Sequence, residues 1–73
     1  MGTIRWMSAE GDTQLCWNQA DLASLERARL WVERAFREGR GVFRVDEGGV
    51  GQRLHTFEPT AREIVVIPQI KGG

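Results

Sequence analysis

The side chains that most often carry out enzyme chemistry are sparse in this sequence. His55 is the only histidine and Cys16 the only thiol, and the serine and threonine hydroxyls have no base at a recognised spacing. A lone histidine is more often a surface or hydrogen-bonded residue than a catalytic one. One cysteine cannot form an internal disulfide or a cysteine-based metal cluster. We therefore expect a protein that is not an enzyme, with no catalytic residue, no metal and no cofactor of its own.

Two short features invite a chemical interpretation but have simpler explanations. Cys16 lies in the apolar stretch Leu15-Cys16-Trp17, which predicts a buried, inert thiol. The glycine-rich run 48–51 lacks the following lysine and hydroxyl residue of a phosphate-binding loop, and it does not lead into a helix. We interpret this run as a hairpin turn.

The strongest candidate for chemistry is the C-terminal segment, which ends in Gly72 and Gly73. Glycine has no Cβ, so two terminal glycines can pass through a narrow channel and approach ATP or a nucleophile without steric cost. Six extended residues reach up to about 20 Å. The sequence therefore predicts a folded domain over 1–67 and a flexible tail over 68–73 that holds the Gly73 carboxylate clear of the domain.

The element that must organise this domain is one long helix. Asn18 is predicted as its N-cap, with Asp21 in the capping-box position, and Gly39 or Gly41 is expected to end it. Between these signals, apolar residues recur at spacings of three and four, which predicts one buried stripe. The stripe consists of Leu22, Leu25, Ala28, Val32, Ala35 and Phe36.

The outer face of the helix alternates arginines with glutamates. This interleaving cancels most of the local field, and the whole chain has zero formal net charge, so we predict a solvated face and no nucleic-acid partner. Trp31 borders the apolar stripe and Leu30 lies nearly opposite it, which makes these two residues candidates for a partner surface. The alternating charges are Arg27, Arg29, Arg34, Arg37 and Arg40 with Glu26, Glu33 and Glu38.

Five stretches rich in β-forming residues flank the helix. Two precede it and three follow it, and the unbroken β-branched run of the last one is typical of a central strand covered on both faces. This order, ββαβββ, predicts an α+β domain of the β-grasp type, with a mixed sheet and one helix packed on one face. The predicted strands are residues 3–7, 13–17, 42–45, 52–57 and 63–67.

The sequence carries no membrane or secretion signal. It has no apolar run of the roughly 18 residues that a membrane span needs, and no basic-then-apolar start. We expect a cytoplasmic protein with no membrane partner.

This combination of elements and tail resembles the ubiquitin-like β-grasp proteins. The segment Ile67-Pro68-Gln69-Ile70-Lys71-Gly72-Gly73 is similar in layout to the ubiquitin tail, and the strand that precedes it is similar to the ends of bacterial sulfur carriers of molybdopterin and thiamine synthesis. Pro68 stands where ubiquitin has a basic residue that its activating enzyme reads. The helix follows the first hairpin at once, unlike in typical sulfur carriers. The compact form is most similar to bacterial ubiquitin-like modifiers of antiphage defence systems.

The resemblance implies a function in which the tail is the reactive part. An E1-like adenylating enzyme, which binds the ATP, would activate the carboxylate of Gly73, and an E2-like enzyme and a Gly-Gly peptidase would be further partners beside the target protein. Gly73 would be the attachment site, and the tail-recognition residues would be Gly72, Lys71, Ile70 and Pro68. Two alternatives remain open: a sulfur carrier with a C-terminal thiocarboxylate, and a phage or bacterial interaction or structural module that is not conjugated.

Overall fold

The computed structural model describes residues 1–49 and 51–68 of the chain. It is an α+β structure with one mixed five-stranded sheet and one helix, as the sequence predicts. The elements are β1 (Gly2–Ser8), β2 (Gly11–Trp17), α1 (Leu22–Arg37), β3 (Val42–Val45), β4 (Gly51–Arg53) and β5 (Glu63–Val66).

The strands lie in the order β2-β1-β5-β3-β4, which is the arrangement of a β-grasp sheet. β1 pairs with β5 in parallel, and the other neighbours are antiparallel. The register places Ile4 opposite both Leu15 of β2 and Ile64 of β5. Because side chains alternate along a strand, this register puts the three apolar residues on one face of the sheet. β5 is central, as predicted.

The hydrophobic core lies between this face and α1. Three residues of the predicted helix stripe are buried in it, together with residues from β1, β2, β3, β5 and the loop after β4. The buried residues are Ile4, Trp17, Ala28, Val32, Ala35, Val42, Leu54, Ala61, Ile64 and Val66.

The opposite face of β5 is only partly covered, which corrects the prediction that both faces are covered. Ile64 and Val66 are buried beneath α1, whereas Glu63 and Val65 on the other face are half-buried. A β-branched run reflects strand propensity as well as burial, and the sequence pattern does not separate the two causes.

The N-terminus of α1 differs from the prediction by three residues. Asp21, rather than Asn18, is the N-cap, and its Oδ1 accepts hydrogen bonds from the backbone N–H groups of Ala23 and Ser24 at 3.1 and 3.4 Å. Asn18 instead closes the preceding turn, with its Oδ1 accepting from Ala20 at 2.9 Å. Asparagine and aspartate are both good N-caps, so the sequence does not distinguish the two positions, and tertiary packing decides between them. Leu22 is consequently 76% exposed and does not belong to the stripe.

The C-terminus of α1 ends at glycine, as predicted. Gly39 has φ of 72°, and its N–H donates to the carbonyl of Phe36, while the N–H of Arg40 donates to the carbonyl of Ala35. These two bonds form a Schellman motif, which requires the left-handed conformation that glycine adopts without strain. The turn directs the chain from the helix back to the sheet at β3.

β4 is shorter than predicted. Only Gly51–Arg53 pair with β3, and the segment that continues to Phe57 leaves the sheet. The buried side chain of Leu54 anchors this departure, and its N–H donates to the carbonyl of Val42 at 2.8 Å. Burial of one leucine in the core therefore replaces the edge-strand pairing expected from β propensity.

Candidate functional site

The site begins where the chain leaves the central strand. After β5, the N–H of Ile67 donates to the carbonyl of Gly41 at 3.0 Å, so the segment before β3 holds the residue that precedes the predicted tail. A Cβ at Gly41 would lie 2.9 Å from the side chains of Ile67 and Phe43, so only glycine permits this close approach. Pro68 follows and is exposed. The other predicted tail residues, Ile70, Lys71, Gly72 and Gly73, lie outside the described residues.

Two tryptophans meet on the helix side of the sheet at this same end. Trp6 of β1 lies opposite Val66, the last residue of β5 and two residues before Pro68. Its ring packs edge to face against Trp31 of α1, with centroids 5.9 Å apart and an interplanar angle of 81°. Both side chains are half-buried. Such a pair stabilises a fold by about 0.5–1.5 kcal/mol beyond its buried area.

Two arginines lie over the ring of Trp6. The guanidinium carbons of Arg40 and Arg34 are 4.6 and 5.6 Å from its centroid, within cation–π range. Both Nε atoms donate to the carboxylate of Glu38, at 2.7 Å from Arg40 and 2.8 Å from Arg34. These hydrogen bonds lower the pKa of Glu38, and the one from Arg40 contributes more than the one from Arg34. We call Trp6, Trp31, Arg34, Glu38 and Arg40 the Trp–Arg cluster.

The Trp–Arg cluster borders a cavity of about 210 Å³ that opens to solvent and is lined by Trp6, Thr13, Trp31 and Arg34. Trp31, one of the two predicted partner-surface residues, therefore lies at a concave site. Leu30, the other, is 51% exposed and lines a separate depression on the outside of α1. The structure thus does not bring the two predicted residues together.

Sequence reasoning identified Trp31 and missed the other four members of the Trp–Arg cluster as site residues. Arg34 follows Trp31 by three residues, about one helical turn. The spacing of Arg34 was the available local signal, since residues three apart share a helix face. The meeting of Trp6 with Trp31 depends on a strand–helix contact that no local pattern encodes.

The residue types that most often carry out catalysis, cysteine and histidine, lie outside the Trp–Arg cluster. Cys16 is exposed, which contradicts the predicted burial: Leu15 and Trp17 face the helix, so the alternating β2 geometry turns Cys16 to the other face. Its Sγ is 3.7 Å from Oγ1 of Thr3. His55 is exposed and borders a depression with Phe57.

No group of three or more histidine, cysteine, aspartate or glutamate side chains is arranged to hold a metal ion among residues 1–49 and 51–68. Within the same ranges, α1 is not long and apolar enough to cross a membrane.

No protein-family model, no curated protein and no solved structure matches the chain.

Proposed function

We propose that this chain is a bacterial or phage ubiquitin-like modifier that acts through the carboxylate of Gly73. The observation that supports the proposal is the position of β5, which lies between β1 and β3, ends at Val66 and is followed by Ile67 and the exposed Pro68. A segment that leaves a central strand on a fixed path gives the chain a defined exit from the sheet. The hydrogen bond from Ile67 to Gly41 and the close packing around Gly41 fix that path.

The proposed chemistry uses the terminal carboxylate as an acyl donor. An oxygen of the Gly73 carboxylate attacks the α-phosphate of ATP bound by a partner enzyme, and pyrophosphate leaves as the acyl-adenylate forms. A partner thiol then attacks the acyl carbon and expels AMP. Finally, a target amine displaces the thiol and forms an amide. Two glycines suit each step because no side chain limits the approach of the attacking group.

The experiment compares tail variants with a matched glycine variant on the domain. Gly73→Val, or deletion of Gly72 and Gly73, is expected to abolish ATP–pyrophosphate exchange by the E1-like adenylating partner. The free energy of unfolding is expected to change by less than about 0.5 kcal/mol, because an exposed terminus contributes little. Gly51→Val is the control, since a Cβ at Gly51 meets no atom within 4 Å. It should retain exchange.

Intact mass of the protein from its native cell distinguishes the proposal from the alternatives. An amide-linked target is expected. A free thiocarboxylate, heavier by the difference between sulfur and oxygen, would identify a sulfur carrier instead. Full biological activity of the truncated chain would contradict both functions and leave the non-conjugated interaction module.

A further inference from the structure

The geometry points to the Trp–Arg cluster as a binding site for an acidic peptide segment that carries an aromatic side chain, on the surface of a partner protein. The chemistry of the peptide follows from the cluster alone. That this partner also handles the tail rests on the proposed function.

The two indoles of the cluster keep polar and apolar surface available. Trp17, by contrast, is buried, and its Nε1–H donates to the carbonyl of Pro59 at 3.1 Å. In the part of the chain that the structure describes, the Nε1–H groups of Trp6 and Trp31 have no such acceptor, and no side-chain nitrogen there is buried without a partner. Both N–H groups are therefore open to water and to a ligand. Tryptophans in this condition are typical anchors of protein interfaces.

The charge of the cluster selects an acidic ligand. Arg34 and Arg40 share the single carboxylate of Glu38, which leaves one net positive charge. Their hydrogen bonds within the described residues use only Nε, so the Nη donors have no acceptor there. Guanidinium Nη groups form strong charge-assisted bonds with carboxylates. The side chain of Arg34 is 66% exposed and reachable by a partner.

Two other arginine networks have the opposite stoichiometry. Arg29 contacts two carboxylates, those of Glu26 and Glu33, and therefore belongs to a net negative group. Arg44 likewise contacts two carboxylates, those of Asp46 and Glu58. An acidic segment would be repelled by those two networks and attracted to the Trp–Arg cluster. Charge therefore favours docking at the cluster over docking at either network.

The size of the cavity favours a single side chain over a small-molecule ligand. Its volume of about 210 Å³ is below the roughly 300–1,000 Å³ of ordinary ligand pockets. Two indole rings form its walls, and aromatic rings prefer edge-to-face or offset contact with another ring. A phenylalanine flanked by glutamates matches both the walls and the charged rim.

The test uses a capped synthetic peptide of one phenylalanine flanked on each side by two glutamates. Titration into ¹⁵N-labelled protein is expected to shift the indole signals of Trp6 and Trp31 in a saturable manner. The signal of the buried Trp17 is the internal reference and should stay unchanged. A peptide with glutamine in place of glutamate should bind at least about fivefold more weakly, because it lacks the charge-assisted bonds. Equal affinity of the two peptides, or no saturable shift, would overturn the proposal.

Matched protein variants locate the site. Arg34→Gln should weaken binding of the glutamate peptide at least about fivefold, while Arg27→Gln, on the same helix and outside the cluster, should change it less than about twofold. Trp31→Phe is the second variant and should also weaken binding. Equal effects of Arg34→Gln and Arg27→Gln would contradict the assignment, as would tighter binding of an oligothymidine than of the peptide to the same two indoles.

Peptide binding at the Trp–Arg cluster and adenylation of the tail can be tested independently, so failure of one does not imply failure of the other. A chain that lacks Gly72 and Gly73 should bind the glutamate peptide as the full chain does, although it cannot be adenylated. Conversely, Arg34→Gln should raise the KM for the chain in ATP–pyrophosphate exchange at least about threefold with kcat preserved, because it weakens docking without altering the reacting carboxylate. An unchanged KM would contradict docking of the tail-handling enzyme at this cluster.

Discussion

At the scale of single residues, the core depends on a close approach between Gly2 and Trp17. Gly2 begins β1 opposite Trp17, and the ring of Trp17 occupies the space where a Cβ on Gly2 would lie. Trp17 cannot easily move away, because it is 1% exposed, packs edge to face against Phe57, and donates its Nε1–H to the carbonyl of Pro59. The largest core side chain therefore packs against a glycine at the start of the sheet.

Gly2→Ala tests this packing directly. The added methyl group must displace a buried indole, so we expect the free energy of unfolding to fall by about 1–3 kcal/mol. Urea denaturation monitored by tryptophan fluorescence gives the value. Gly51→Ala is the control, because its Cβ meets nothing within 4 Å, and its stability should change by less than about 1 kcal/mol. Equal stability of Gly2→Ala and the parent chain would show that Trp17 is not held as described.

Glu38 gives a prediction for the dependence of stability on pH. Its pKa in the folded protein lies below the ordinary value of 4.5, because the carboxylate accepts hydrogen bonds from Arg40 and Arg34. A depressed pKa means that the stabilising contribution is complete above the unfolded-state pKa and is lost as the pH falls through the folded-state pKa. The parent chain should therefore be more stable than Glu38→Gln at pH 7.

The difference between the parent chain and Glu38→Gln should shrink as the pH falls below 4.5. Thermal melts of both proteins at several pH values measure it. Glu10→Gln, in the turn between β1 and β2, is a control for the loss of one exposed carboxylate, and it should leave the pH profile close to that of the parent. A difference that grows on acidification would contradict the pairing of Glu38 with the two arginines.

At the scale of elements, the contact of α1 with the sheet decides whether the chain folds. Val32 is fully buried, whereas Leu30, two residues earlier, is 51% exposed. Val32→Asp should unfold the domain, because an unpaired buried charge costs several kcal/mol against a total stability of roughly 5–15 kcal/mol. Leu30→Asp is the matched control and should retain a cooperative melt by circular dichroism. A cooperative melt of Val32→Asp like that of the parent would contradict the assigned helix face.

The sequence predicted the elements better than their ends. The helix stripe, the glycine stop and the central position of β5 followed from periodicity and β propensity, which are local or summed over many residues. The N-cap was wrong because Asn18 and Asp21 are both good caps, and packing chose between them. The end of β4 was wrong because burial of Leu54 outweighed strand pairing.

The candidate site was predictable only in part for the same physical reason. Trp31 was identified from its position at the edge of the stripe, which is a property of the helix alone. Its contact with Trp6, and the stacking of Arg40 on that ring, join positions that lie far apart in the chain. Such contacts depend on the packing of α1 across β1, so a single sequence contains no local pattern for them.

At the scale of the whole molecule, the parallel pairing of β1 and β5 separates the two ends of the described chain. Thr3 lies opposite Glu63 and Trp6 opposite Val66, so β1 starts where β5 starts and both run in the same direction. Met1, which is 87% exposed, therefore lies at the opposite end of the sheet from the start of the tail. The Met1 end of the sheet is therefore clear of the point where the chain leaves β5.

This geometry and the composition together predict how the proposed modifier forms chains. Lys71 is the only lysine, and it lies within the reactive tail itself, two residues from Gly73. We therefore expect single conjugates on target proteins, with any modifier-to-modifier linkage formed at the Met1 amine rather than at Lys71. Mass spectrometry of conjugates from cells that express the parent chain or Lys71→Arg measures this directly. Lys71→Arg should leave the conjugates and any ladder unchanged, and acetylation of Met1 should remove the ladder. Abundant ladders that persist after acetylation and disappear in Lys71→Arg would show instead that the tail lysine is accessible to a second activated copy.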